Sequence, residues 1–207
     1  MPLPVLNNIM TPPNPPALGN GLNNHPPVTA NNSEFRAKLG NAVWLGNTLT
    51  VSNAGVNNYW YIPAIPNKVS YCVVPCGGGG DAYVISDQYG GCEYHELYNA
   101  AHNLLAFLHV YRGDGATTQY TLAPGWVRRS VKRSAVIAGA HGMQGSNWSV
   151  SLIDRNVNPP VVQSKFIHVQ GYPNITVTGE DNGDTPYPPG GLLGFLGLGW
   201  LSNLLFG

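Results

Sequence analysis

The sequence predicts a mostly-β domain, a β-sandwich with few or no long helices, with an α+β arrangement as the alternative. Two observations predict it. Short runs rich in β-branched and aromatic residues recur through the middle of the chain, and Gly, Asn or Pro turns separate many of them at intervals typical of a sandwich or barrel. The runs are residues 43–51, 58–62, 68–74, 82–86, 118–122, 134–138, 148–153, 161–169 and 175–177. No internal repeat is found.

Charge marks the boundaries. All twenty charged residues of the 207 lie between Glu34 and Asp184. Residues 1–33 hold eight prolines, eight asparagines and no charge. That arm has too few large apolar residues to offset its ordering entropy, so a disordered Pro/Asn-rich arm is expected there. Residues 34–182 are the expected folded unit, long enough to bury a core. A Pro/Gly linker and an apolar tail occupy 183–207. That tail is too short to span a bilayer. It reads as an element packed on the domain, an interfacial anchor, or a docking segment for a secretion chaperone or carrier.

Composition excludes some functions. Charged residues make up 10% of the chain and the net charge is zero. No long-range field then draws the protein to nucleic acid or to an anionic membrane. The N-terminus lacks the basic and apolar regions of a Sec signal. Three cysteines, an odd count, leave at least one thiol free and favour a reducing cytosol.

One segment, residues 92–111, reads two ways. Tyr94, Leu97, Tyr98, Ala101, Leu105 and Leu108 fall at helical spacing. The competing reading is a hairpin, with strands 92–98 and 104–111 and a turn at 99–103. Periodicity alone slightly favours the helix. The residues around Cys92 favour the hairpin.

Cys92 follows Gly90 and Gly91, which let the backbone turn tightly and leave amides open to a substrate oxygen. A thiolate nucleophile needs a base or cation to lower its pKa from about 8.5. His109, seventeen residues on, would be brought alongside by a hairpin.

The stretch AYVISDQYGGCEYHELYNAAHNLLAFLHVYRG, residues 82–113, resembles the toxin glutamine deamidase superfamily. That group includes the cytotoxic necrotizing factor catalytic domain, Burkholderia lethal factor 1 and CheD. Gly91 and Cys92 stand where those proteins have a Ser-Gly-Cys turn, and His109 where they have a hairpin histidine. Position 90 departs from the pattern, being Gly rather than Ser. The resemblance implies a β-sandwich in which Cys92 is the nucleophile and His109 the base, with Ser86 orienting the histidine. Backbone amides at Gly91 and Cys92 would hold the oxyanion. It implies hydrolysis of a Gln side-chain amide on a target protein, without a cofactor or metal. Export without a Sec signal and action in a target-cell cytosol would follow.

Other patterns in the sequence point less far. Cys72, Cys76, Cys92 and His95 form C-x3-C-x15-C-x2-H, which imitates a zinc site, but Val73, Val74 and Pro75 make an awkward knuckle. Residues 77–80, four glycines, lack the Lys and following helix of a phosphate loop and read as a lid or turn beside the site. Were 92–111 a helix, His109 would lie about 25 Å from Cys92 at ~1.5 Å per residue. His141 or His168 would then be the base, as in papain-like or NlpC-like peptidases. His95 and His102 read as exposed or turn residues, and His25 lies in the arm. Arg128, Arg129, Lys132 and Arg133 form the one dense charge cluster, a solvated face or a contact for an acidic target. A binding module with an inert Cys92 is the non-enzymatic alternative.

Overall fold

The structure, a computed structural model, describes residues 8–10, 25–29, 33–35, 37–52, 58–113, 116–133, 147–170 and 174–181. Every regular element among the described residues is a strand. The larger sheet contains β1 (Asn8–Met10), β3 (Lys38–Leu45), β4 (Thr48–Ser52), β5 (Tyr59–Ile62) and β7 (Asp81–Ser86). It is completed by β13 (Asn147–Asp154), β14 (Val161–Gln170) and β15 (Asn174–Asp181). The smaller sheet contains β2 (Ser33–Phe35), β6 (Val69–Pro75), β8 (Glu93–Asn99), β9 (Leu104–Val110) and β12 (Val127–Arg133). A short ribbon joins β10 (Arg112–Gly113) to β11 (Ala116–Thr117).

Strand order in the larger sheet is β1-β15-β14-β13-β7-β5-β3-β4. It curls until β1, antiparallel to β15, also pairs in parallel with β4 and closes it as a barrel. The smaller sheet, in the order β12-β8-β9-β6-β2, packs against this barrel as the second layer of a sandwich. The mostly-β expectation holds.

Three apolar clusters explain the strand sequences. Tyr59, Tyr83, Ile85, Val150 and Ile167 belong to the cluster on one face of the larger sheet. Between the sheets, Trp60, Ile62, Val84, Ile153 and Phe166 meet Cys72, Val74, Tyr94, Leu105 and Phe107. On the far face of the smaller sheet, Val69, Tyr71, Leu97, Leu108 and Val110 are covered by Val28, Ala123 and Trp126. Strand β9 is therefore buried at all seven positions. A strand covered on both faces reads as a continuous apolar run rather than an alternating one.

Several expectations change. Residues 43–51 are a hairpin rather than one strand, because Gly46 takes a left-handed φ of 56° and turns the chain between β3 and β4. Residues 118–122 form no strand; Leu122 makes a single bridge to Val28. The expected strand at 134–138 lies outside the described residues, as do 183–207 and His141. Parts of the expected disordered arm are built into the fold. Asn8–Met10 supplies β1, whose backbone pairs with two sheet edges that would otherwise lack partners. His25 stacks on His102 at a centroid distance of 4.0 Å. The charge cluster belongs to β12, an edge strand.

Gly40 shows how tightly β3 is held. A Cβ added there would stand 2.4 Å from the Ser52 carbonyl oxygen, a backbone atom. Gly40→Ala is expected to lower stability by about 1–3 kcal/mol through overpacking. Urea unfolding followed by tryptophan fluorescence measures it.

Candidate functional site

The hairpin reading of 92–111 is the one the chain adopts. Strands β8 and β9 pair from Glu93↔Val110 to Asn99↔Leu104, with Tyr94 opposite His109. Cys92 precedes β8, two residues from Tyr94, and so lies diagonally across from His109 on the face turned to the larger sheet. A helical Cys92, the premise of the papain-like layout, does not occur.

The turn between β7 and β8 needs its glycine. Gly91 has φ of 127°, a conformation L side chains rarely adopt, and Gln88 has φ of 59°. Asn147 holds the turn from outside. Its carbonyl accepts the Tyr89 N–H at 3.0 Å, and its Nδ2 donates to the Tyr89 carbonyl at 3.1 Å. His168 Nδ1 lies 3.1 Å from Asn147 Oδ1, so that histidine braces the clamp.

His109 is fully buried. Its Nδ1 is 2.9 Å from Ser86 Oγ, while Ser86 Oγ donates to the Ile62 carbonyl at 2.7 Å. A serine has one proton to give, and the Ile62 oxygen can only accept. The imidazole must therefore carry its proton on Nδ1 and donate it to Ser86. Nε2 is left as a bare lone pair, and it has no hydrogen-bond partner. Tyr89 covers the ring face at a centroid distance of 4.2 Å and an interplanar angle of 21°. Burial pushes the His109 pKa down to about 3. The neutral ring is the resting form.

Cys92 is 4% exposed. Burial raises its pKa, against backbone hydrogen bonds from Arg112, Gly90 and Cys92 itself, and the Glu93 carboxylate raises it further. Backbone hydrogen bonds to the sulfur thus come from Gly90, Cys92 and Arg112. Both shifts favour the uncharged forms, a thiol and a neutral imidazole in a dry interior.

Ser86 bonds His109 on the face that Cys92 shares, but His109 Nε2 has no hydrogen-bond partner, so the Cys92 sulfur is not bonded to the imidazole. Tyr89 and Asn147 were missed. Tyr89 is a neighbour of the predicted turn, but Asn147 is 58 residues away and follows no local pattern. The four zinc-like residues do not converge. Cys72, Cys76 and Cys92 join the inner cluster, whereas His95 faces the other side of its sheet. Nor does His95 lie exposed: it is 5% accessible and bonded to Glu93. Residues 77–80 are not beside the site. They precede Asp81, at the far end of β7 from Ser86, about 17 Å away at ~3.3 Å per residue.

Comparison with protein families, curated proteins and solved structures finds no match for this chain. Among the described residues, no helix is long and apolar enough to cross a membrane.

Removing the Ser86 hydroxyl would strip the Ile62 carbonyl and the His109 Nδ1–H of their shared partner. Ser86→Ala is expected to cost about 1–3 kcal/mol in denaturant titrations. The buried imidazole also sets an acid dependence. Its folded pKa, near 3, lies below the ordinary 6.5, so the unfolded chain binds the proton first. Stability contributed by neutral His109 is present above pH 6.5 and is lost as pH falls towards 3. His109→Asn, which keeps a donor to Ser86 and cannot titrate, should flatten that part of the stability–pH curve relative to wild type.

Proposed function

We propose that the protein is a Cys–His amidohydrolase of the glutamine-deamidase type, acting on a Gln side chain of a target protein. The observation that carries the reading is the unpartnered Nε2 of His109, held by the Ser86 contact on the face shared with Cys92. In the reaction Nε2 takes the thiol proton as Cys92 sulfur attacks the amide carbon. Amides lining the turn receive the oxyanion. Collapse of the adduct breaks the C–N bond, and the imidazolium returns its proton to the departing ammonia. Water then hydrolyses the thioester, giving Glu and restoring the thiol. No cofactor takes part. Among the described residues Cys72, Cys76 and Cys92 form no disulfide, which suits a reducing compartment such as a target-cell cytosol.

Because Cys92 and His109 rest uncharged, with no hydrogen bond from Nε2 and with Tyr89 covering the imidazole, the substrate must open the turn, bring the two together and drive proton transfer as it binds. The burial of the site equally favours a second reading, a β-sandwich binding module in which Cys92 packs and does nothing else.

Intact-mass analysis of candidate targets separates the two. Deamidation adds about one dalton per amide, the difference between NH2 and OH, and Cys92→Ser should abolish the gain, as expected for an essential nucleophile. His109→Asn should reduce it by about a hundredfold or more, the range of a lost general base. A target whose mass gain survives in Cys92→Ser would reject the assignment. An iodoacetamide-resistant Cys92 in the presence of every target tried would support the module.

A further inference from the structure

The far face of the smaller sheet carries a second set of titratable groups that the Cys92 reading does not use. Side chains alternate along β8, so Glu93 and His95 turn away from Cys92 and Tyr94. Each is 5% exposed. His95 Nε2 is 2.8 Å from Glu93 Oε2, and its Nδ1 is 2.5 Å from Tyr120 Oη. Arg128, on β12, donates from Nε to the same Tyr120 oxygen at 3.0 Å, with its guanidinium carbon 4.9 Å from the ring centre. Thr117 Oγ1 donates to the other Glu93 oxygen at 3.2 Å.

One assignment of protons satisfies all four contacts with a neutral imidazole. The carboxylate only accepts, so His95 gives it the Nε2 proton. Nδ1 is then a lone pair that receives the Tyr120 O–H, while Arg128 donates to the phenol oxygen. Tyr120 thus has a carboxylate-backed base on its proton and a cation on its oxygen. Both favour the phenolate as charge develops.

We propose that Tyr120 is an activated nucleophile for acyl donors, independent of Cys92. The phenol oxygen attacks the acyl carbonyl carbon while its proton passes to His95 Nδ1. Glu93 holds the imidazolium and Arg128 offsets charge on the oxygen. The bond from the acyl carbon to the leaving group then breaks, and His95 delivers the proton to that group. The product is an O-acyl Tyr120, with no redox partner required.

N-Acetylimidazole on the full chain near neutral pH tests this, with peptide mass spectrometry reading acetylation at each tyrosine. Tyr98 is the internal control. It has Arg129 over its ring at 5.9 Å but an amide oxygen, that of Asn103, 3.5 Å from its hydroxyl in place of an imidazole. Tyr120 is expected to react about a hundredfold or more faster than Tyr98, the low end of general-base effects. His95→Asn keeps an acceptor near the Nδ1 position and cannot take the proton. It should bring Tyr120 down to the Tyr98 rate without changing Tyr98. Should that variant fail to fold, Arg128→Gln on the edge strand should lower the Tyr120-to-Tyr98 ratio. Equal rates in the wild-type chain, or a ratio that neither variant moves, would leave the four residues as a brace for the loop and overturn the proposal.

Discussion

A single hydroxyl proton sets the hydrogen bonding of the inner face. Ser86 commits it to the Ile62 carbonyl, and that commitment fixes which nitrogen of His109 is protonated. The contact depends on topology more than on the Cys–His hairpin. Ile62 stands opposite Ser86 because β5 and β7 pair in parallel. Parallel neighbours need a crossover, and here the crossover is β6, which joins the other sheet and runs beside β9. Its Ser70 lies opposite His109. One excursion of the chain from Ile62 to Ser86 therefore assembles both the carbonyl and the hydroxyl around a histidine delivered by a separate hairpin.

Much of this was legible in the sequence, for identifiable reasons. The Gly-Gly-Cys turn and the spacing to His109 pointed to the observed hairpin even though helical periodicity competed. The competition has a physical origin. Strands β6, β8 and β9 lie between two apolar clusters, so the period-2 alternation that identifies a half-exposed strand is nearly erased. Strand β12 was illegible for the opposite reason. Its Arg and Lys residues read as a solvated surface, yet basic residues are a usual way of protecting a sheet edge. The Asn147 clamp on Tyr89 and the Ser86–Ile62 bond join distant segments, and no local spacing records them. The brace from Val28 to Leu122 escaped for the same reason, since composition alone assigned residues 25–29 to the arm.

Burial sets the protonation of both Cys92 and His109. In many reactive pairs a thiolate and an imidazolium stabilise each other. Here desolvation pushes the thiol pKa up and the imidazole pKa down, so separating charge across the pair is opposed at both ends. The Gly90, Cys92 and Arg112 backbone bonds to sulfur only partly offset that cost. Under the proposed reading, a reacting amide has to supply an oxyanion for the amides of the turn to meet. The backbone of the turn carries Gln88 and Gly91 at positive φ while Asn147 grips Tyr89 between them.

Strand β8 links the two faces through adjacent residues. Glu93 is charged partner to His95 on one side of the sheet, and its negative charge disfavours a Cys92 thiolate on the other. The carboxylate cannot be tuned for one face alone. Drawing it towards His95 and Thr117 organises the tyrosine cluster, and keeping it ionised there maintains the electrostatic opposition at the sulfur. The distribution of roles follows from strand alternation: consecutive side chains enter different environments, yet their charges remain within electrostatic reach through a layer one backbone thick.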